Sequence, residues 1–286
     1  MAAELEGMNL SLSVRGLCYS FTKEQPLFQD LDFDLRQGEF ASLLAPSGLG
    51  KTTLFRLIAG LLAPERGTIR IFDNQAAEPV NGSVRRPGRV GYMPQRDCLM
   101  PWRNVVDNAA LGLEISGIPR REAKRVVTGM LPEFGLEGAA DRMPHQLSGG
   151  MRQRVSFMRS MLSGGDLLLL DEPFSALDAM TRISMQEWLL QIWEKHRKTI
   201  LFITHDVDEA LLLSDRLLVA SAAPVSTLAE VEIRQPRPRT YKDLMNGEFI
   251  ALKQQVLELL HYRLDVTERK TGAAEEEGTE GGAFRT

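Results

Sequence analysis

Apolar and polar residues alternate in two stretches near the start of the chain, residues 10–14 and 31–35. A period of two residues is typical of a strand that is buried on one face only. The two stretches therefore predict an antiparallel β-ribbon. Residues 18–22, which lie between them and include Tyr19 and Phe21, are interpreted as a turn.

Other apolar stretches are continuous, and they predict strands that are buried on both faces. Four leucines occupy positions 167–170, and residues 40–44, 90–93 and 199–204 are similarly apolar. Such strands are typical of parallel sheets, because helices cover both faces of the sheet. Further strand candidates are residues 67–72, 217–220 and 228–233.

Apolar residues recur at helical spacing in the middle of the chain. Between residues 104 and 137 this pattern is interrupted by Pro119 and Pro132, which favours a small helical subdomain. Residues 267–286 consist mainly of Gly, Glu and Thr, so disorder is expected there. Residues 147–150 open a further predicted helix, with Val155, Met158 and Leu162 on one stripe, and other helical patterns cover residues 177–192 and 242–260.

Residues 45–53, Ala-Pro-Ser-Gly-Leu-Gly-Lys-Thr-Thr, lie between a predicted strand and a predicted helix. A glycine-rich turn in this position directs backbone N–H groups and a helix N-terminus towards one point, which favours phosphate binding. Lys51 can reach the β- and γ-phosphates, and the Thr52 hydroxyl can ligate Mg²⁺. The phosphate-loop pattern Gly-x-x-x-x-Gly-Lys-Ser/Thr begins with a glycine, and Ala45 stands at that position. An alanine is compatible with this position only if its φ is negative. The alternative is an ordinary turn that contains Gly-Lys-Thr.

Two carboxylates, Asp171 and Glu172, follow the leucines at 167–170. In an open parallel sheet, ligands bind at the carboxyl ends of the strands. Asp171 can hold Mg²⁺ while Glu172 polarises an attacking water; the alternative is a simple turn after a buried strand. His205 also ends a predicted strand, where it could contact a phosphate or serve only a structural purpose.

Composition and charge restrict the class of protein. The net charge of −4 and the pI near 5.7 give no reason to expect a nucleic-acid partner. Cys18 and Cys98 are far apart and lack metal-ligand spacing, so reduced thiols are expected. Residues 1–10 contain two acids and no apolar core, unlike a signal peptide, and no apolar run approaches the length of a membrane span. We therefore expect a soluble chain that reaches a membrane only through a partner.

Six motifs occur in an informative order along the chain. They are the loop at 45–53, Gln95, Leu-Ser-Gly-Gly at 147–150, Leu-Leu-Leu-Leu-Asp-Glu-Pro at 167–173, Ser-Ala-Leu-Asp at 175–178 and Thr-His-Asp at 204–206. In this order they resemble the nucleotide-binding subunit of ABC transporters. The resemblance implies an α/β fold with a RecA-like P-loop ATPase core, an antiparallel β-ribbon and an inserted α-helical subdomain. It places the nucleotide-binding domain at residues 9–235, with the helical subdomain at about 96–163, a helical extension at 236–266 and a disordered acidic tail at 267–286.

The resemblance also implies a role for each motif. Phe21, with Tyr19 as the second choice, would stack on adenine. Glu172 would be the general base, His205 would contact the γ-phosphate, and Gln95 would contact Mg²⁺ and the attacking water. Residues 148–150 would lie on the nucleotide held by a second copy, so a dimer around two ATP molecules is expected. The full set expected to bind ATP is Phe21, Ala45, Pro46, Ser47, Gly48, Leu49, Gly50, Lys51, Thr52, Thr53, Gln95, Ser148, Gly149, Gly150 and Asp171, and the set expected to bind Mg²⁺ is Thr52, Gln95 and Asp171.

Within the family, residues 92–105 resemble the nitrate, sulfonate and taurine uptake group, which also includes importers of pyrimidine vitamin precursors. The resemblance implies a Mg²⁺-dependent ATPase subunit that lies peripherally on the cytoplasmic face of the inner membrane. Its partners would be a membrane permease and, indirectly, a periplasmic or surface solute-binding protein. The transported solute is left open, because other subunits select it.

The sequence also departs from the family pattern at Ala45, at Met151, where Gln is usual, and at residues 163–166, which lack the usual proline. None of these changes removes a catalytic group. Two other function classes were weighed. A non-transport ABC ATPase of translation or DNA repair would carry a second such domain or a long coiled-coil insertion, and a module without hydrolysis would not retain Glu172 and His205.

The segment Leu99-Met100-Pro101-Trp102 places an unusual amount of apolar surface in a loop. One interpretation is that Trp102 packs beneath its own subdomain. The other is that Trp102 is an anchor for a short helix of the membrane subunit, with Gln95 linking the nucleotide to that contact.

Overall fold

The computed structural model describes residues 9–22, 24–72, 78–80 and 90–260. Two β-sheets organise these residues. The larger has six strands in the order β10-β9-β3-β8-β7-β6, in which only β10 is antiparallel to its neighbour. Its strands are β3 (Phe40–Leu44), β6 (Val90–Met93), β7 (Leu167–Asp171), β8 (Thr199–Thr204), β9 (Arg216–Val219) and β10 (Ala229–Glu232).

The smaller sheet is antiparallel, with the order β2-β1-β4-β5. The predicted β-ribbon is present as the β1–β2 pair, but residues 18–22 do not form the predicted turn. They continue β1, because Tyr19 pairs with Phe28 and Thr22 pairs with Gln25, close to the point where the chain reverses. The strands are β1 (Leu10–Thr22), β2 (Gln25–Arg36), β4 (Arg66–Ile71) and β5 (Glu78–Val80).

The helices cover the larger sheet and build the subdomain beside it. Short helices follow β6, and longer ones precede and follow β7. Residues 247–260 are helical after a 3₁₀ turn at Asp243–Met245, so the helix predicted over 242–260 begins five residues later than expected. The helices are α1 (Lys51–Ile58), α2 (Val105–Ala109), α3 (Leu111–Ile115), α4 (Arg120–Met130), α5 (Gly149–Leu162), α6 (Ala179–His196), α7 (Val207–Leu213) and α8 (247–260), with a further 3₁₀ turn at Pro144–Gln146.

The alternation of side chains along the buried strands divides the core into two clusters. In β7, Leu167 and Leu169 pack with α1 and with the smaller sheet, whereas Leu168 and Leu170 pack with α5, α6 and the helical subdomain. Both faces are therefore buried, and the carboxyl edge of the sheet is left for polar side chains.

The expected domain boundaries remain a prediction. The disordered tail at 267–286 and the end of the extension at 236–266 lie outside the described residues. Across the described ranges, no helix has both the length and the apolar character needed to cross a membrane.

Candidate active site

Four parallel strands bring the candidate residues to one edge of the sheet. The strands β3, β8, β7 and β6 are consecutive neighbours. Beyond their carboxyl ends lie, in the same order, the loop at 45–53, His205, Glu172 and Gln95. Because all four strands run in the same direction, these segments converge at one edge.

The loop at 45–53 wraps around the Lys51 ammonium group. Its Nζ donates to the carbonyl oxygens of Ala45 at 2.7 Å and Pro46 at 3.1 Å. Burial lowers the pKa of Lys51, against the attraction of Glu172 and Asp171. A cationic side chain is therefore held inside a concave loop at the start of α1.

Glycine is required in the second half of this loop. Gly48 and Gly50 have φ values of 88° and 79°, a region that other residues rarely adopt. At Gly50 an added Cβ would also lie 2.4 Å from the Leu27 side chain. Ala45 is not among the described residues with positive φ, so the backbone at this position accepts an alanine in place of the usual glycine.

We expect Ala45→Gly to change ATP affinity by less than tenfold, or about 1.4 kcal/mol. Ala45 is buried, and its backbone already has a conformation that L-residues adopt readily. Isothermal titration with ATP checks this, with Ala220→Gly as a control for a buried alanine in the same apolar cluster. A gain well above tenfold would show that the alanine strains the loop.

Asp171 is nearly fully buried at the end of β7. The Tyr92 hydroxyl donates a hydrogen bond to its Oδ2 at 3.3 Å, and Thr52 lies next to it. Burial raises the pKa of Asp171 and raises that of Tyr92 to about 12. Tyr92 was not recognised in the sequence because a tyrosine within a short buried strand looks like a packing residue.

Glu172 has a φ of 45°, which is uncommon for a residue with a side chain. Its backbone N–H donates to the Ile203 carbonyl at 3.0 Å, which fixes this conformation. The Gln95 Nε2 donates to Oε2 at 3.1 Å, and the His205 Nδ1 lies 3.5 Å from the same oxygen. Strained backbone of this kind is concentrated at functional sites.

A small cavity opens beside this group. It is lined by Glu172, His205, Thr204, Arg182 and Glu209, among others, and its volume of about 20 Å³ is sufficient for one water molecule. The carboxylate that the sequence favoured as a base therefore borders a space of the right size for the water it would activate.

The remaining candidates, Phe21, Tyr19 and residues 148–150, are not part of this group of contacting side chains. Phe21 has 65% of its surface exposed and meets Tyr19 edge to face at 5.5 Å, whereas Tyr19 packs partly against the core. Ser148 caps α5 by accepting a hydrogen bond from the Met151 N–H at 3.3 Å. Among the described residues, no hydrogen bond joins residues 148–150 to the loop at 45–53.

Comparison with known proteins decides the family. The family model described as "ABC transporter" matches residues 28–175, which is more than half of the chain. The chain belongs to the ABC transporter family. The sequence-based assignment to this family, and to its transport-coupled ATPases, is confirmed.

Relatives in the family include two import proteins. The formylaminopyrimidine import ATP-binding protein ThiZ of Halalkalibacterium halodurans is 39% identical over 251 residues, which cover 87% of this chain and 96% of ThiZ. The taurine import ATP-binding protein TauB of Escherichia coli K12 is 40% identical over 240 residues, covering 82% and 91%.

Solved structures of ABC ATPases share the fold. A dimeric ATP-binding cassette in a post-hydrolysis state, bound to ADP and Pi, superposes with a TM-score of 0.65 and 25% identity. It covers 79% of this chain and the whole of that cassette, and a second dimeric structure of a bacterial ABC transporter cassette gives the same values. The predicted RecA-like P-loop fold is confirmed.

Proposed function

We propose that this ABC subunit binds ATP and Mg²⁺ at the carboxyl edge of the larger sheet and hydrolyses ATP to drive solute import. The observation that carries the proposal is the contact of the Glu172 carboxylate with both Gln95 and His205. Residues that follow three different strands therefore form one group of contacting side chains, and this group lies next to a loop suited to phosphate.

The donor set fits Mg²⁺. Thr52 lies next to Asp171, and the two residues offer a hydroxyl and a carboxylate oxygen. Mg²⁺ prefers hard oxygen ligands and is usually held by one or two carboxylates together with substrate phosphates. Thr52 and Asp171 would hold the ion, with Gln95 as a further ligand, and the bound ion would neutralise phosphate charge.

Hydrolysis then depends on the orientation of a water molecule by this chain's own side chains. Glu172 accepts a proton from the water as its oxygen attacks the γ-phosphorus, and the bond to the leaving ADP oxygen breaks to give ADP and phosphate. Gln95 orients the carboxylate and the water, and His205 contacts the γ-phosphate. The Lys51 ammonium exchanges the carbonyls of Ala45 and Pro46 for phosphate oxygens.

Phe21 and residues 148–150 would supply further nucleotide contacts, and those of residues 148–150 require a second copy of the chain. Phe21 is exposed and free to stack on adenine, with Tyr19 packing against its edge. Residues 148–150 begin a fourteen-residue helix whose N-terminus suits an anion. We infer that they close on the ATP held by the partner copy, and the dimeric state of the solved cassettes supports this arrangement.

We expect Lys51→Ala to weaken ATP binding by at least about tenfold, because hydrogen bonds to charged groups contribute about 1.5–3 kcal/mol. Titration with ATP, and phosphate release measured with Mg²⁺ and with excess EDTA, test the proposal. Lys124→Ala, a lysine of the helical subdomain, is the matched control. ATP binding that survives Lys51→Ala unchanged would argue against the phosphate site.

The subunit would act on the cytoplasmic face of the membrane, bound to a permease. The names of ThiZ and TauB support an import system whose solute is a small anion or organic compound of the nitrate, sulfonate, taurine or pyrimidine-precursor type. A solute-binding protein would deliver that solute to the permease. Co-purification of both partners, followed by identification of the bound solute, tests this assignment.

We propose Trp102 as the contact with the permease. Its side chain is 73% exposed, so the interpretation that it packs beneath the subdomain is wrong. The neighbouring Leu99 is buried and contributes to the core instead. We infer that Trp102 anchors a short helix of the permease.

A buried amide holds the Trp102 loop in shape. The Asn108 Nδ2 donates to the carbonyls of Met100, Arg103 and Asn104 at 2.8–3.1 Å, and its Oδ1 accepts from the Met100 N–H at 2.8 Å. Asn108 is fully buried in α2. The hydrogen bonds of Asn108 therefore fix the backbone of the loop, while the side chain of Trp102 is exposed to solvent.

A further inference from the structure

A chain of buried hydrogen bonds connects the C-terminal extension to the active site. Gln186 of α6 is fully buried, and its Nε2 donates to the Glu209 Oε1 of α7 at 2.6 Å. Its Oε1 accepts from the Tyr241 hydroxyl. Burial of an amide is costly unless both ends are paired, so Tyr241 completes the pairing of Gln186.

Glu209 connects this series of hydrogen bonds to the catalytic cavity. It lines the cavity that also contains Glu172 and His205, and Thr204 and Asp206 line the same cavity. The Thr204 hydroxyl accepts from the Asp206 N–H at 3.0 Å. The residues immediately before and after His205 are thus hydrogen-bonded to each other at the edge of this cavity.

Asp206 connects His205 to α7. Its carboxylate accepts from the backbone N–H groups of Asp208 at 2.9 Å and Glu209 at 3.1 Å, which starts α7 directly after His205. Any displacement of α7 would therefore move the His205 backbone. The position of α7 becomes a determinant of the catalytic geometry.

The extension is fastened to α7 at several points. The buried Arg239 guanidinium donates to the carbonyls of Leu211 and Ser214, and the Lys253 Nζ lies 2.7 Å from the Asp208 carboxylate. Phe249 and Val256 of α8 are buried in one apolar cluster that also contains Ala210 and Leu211. Tyr241 lies between these attachments, so its hydroxyl is delivered to Gln186 by a fixed backbone.

We infer that Tyr241 is a positioning residue for ATP hydrolysis, and that it sets the location of His205 through Gln186, Glu209 and Asp206. The inference rests on the proposed contact of His205 with the γ-phosphate. It assigns the extension, which none of the six motifs reaches, an indirect part in catalysis.

The test is Tyr241→Phe in the full chain, which removes one hydroxyl and keeps the ring. Loss of an ordinary hydrogen bond corresponds to a factor of about five. We expect kcat for ATP to fall about fivefold while the affinity for ADP stays unchanged, because ADP has no γ-phosphate for His205 to contact. Gln186→Met, which removes both bonds of the amide, is expected to lower kcat at least as far.

Thr240→Val is the matched control. It removes a hydroxyl one residue away that donates to Asp243, and it should leave kcat within twofold of the parent. An unchanged kcat in both Tyr241→Phe and Gln186→Met would overturn the inference. An equal loss of ATP and ADP affinity would also overturn it, since that pattern indicates general damage to the fold.

His205→Ala separates this inference from the proposed function. If His205→Ala stops hydrolysis and Tyr241→Phe does not slow it, only the role of Tyr241 fails. If His205→Ala hydrolyses ATP normally, the proposed γ-phosphate contact fails and the role of Tyr241 fails with it.

Discussion

Glu172→Gln is expected to lower the rate of ATP hydrolysis by about 10²–10⁴-fold, the usual contribution of a general base. The amide has the shape of the carboxylate but cannot accept the proton of the attacking water. The phosphate contacts of the loop at 45–53 do not involve residue 172, so ATP should still bind. Without hydrolysis, two copies should remain closed around ATP.

Two measurements check this expectation. Phosphate release gives the rate, and size-exclusion chromatography with and without ATP gives the oligomeric state. Glu122→Gln changes an exposed glutamate that pairs with Arg125 at 3.9 Å, and it should hydrolyse ATP normally. Turnover close to that of the parent in Glu172→Gln would exclude Glu172 as the base.

Trp102→Ala is expected to leave ATP hydrolysis by the isolated subunit unchanged and to abolish transport by the assembled system. An aromatic anchor in a desolvated pocket commonly contributes 2 kcal/mol or more, so permease affinity should fall by about thirtyfold or more. Because the side chain is exposed in the isolated subunit, its truncation should not lower the melting temperature appreciably.

Pull-down of the permease and solute uptake into vesicles measure the effect. Leu61→Ala is the matched control, since Leu61 is 64% exposed but lies after α1, outside the helical subdomain. Equal losses of permease binding and solute uptake in both variants would indicate that exposed apolar surface in general is responsible. Normal assembly of Trp102→Ala would place the permease contact elsewhere.

The sequence predicted which residues follow the buried parallel strands, because each of these strands is recognisable from its own residues. Continuous apolar runs marked the buried strands, and the polar residue after each run had to emerge at the carboxyl edge, as Glu172 and His205 do. The glycines of the phosphate loop were equally informative, because positive φ at Gly48 and Gly50 is a local requirement.

Features that depend on distant parts of the chain could not be predicted in this way. Gln186 and Glu209 look like ordinary polar residues of two helices, and only the packing of α6 against α7 shows that they form a buried pair. Trp102 had two interpretations, because an apolar loop residue gives no local sign of whether it packs inward. Residues 18–22 were misassigned because their strand pairing is set by Phe28, Gln25 and β4.

The Asn108 amide has a consequence for the kinetics of assembly. A loop that must be ordered on binding adds an entropic cost of about 0.5–1.5 kcal/mol for each immobilised side chain. The loop that carries Trp102 already holds its shape through four hydrogen bonds to one side chain. If Trp102 docks as proposed, encounter with the permease requires little rearrangement on this side, and the lifetime of the assembly depends on how fast the tryptophan leaves its pocket.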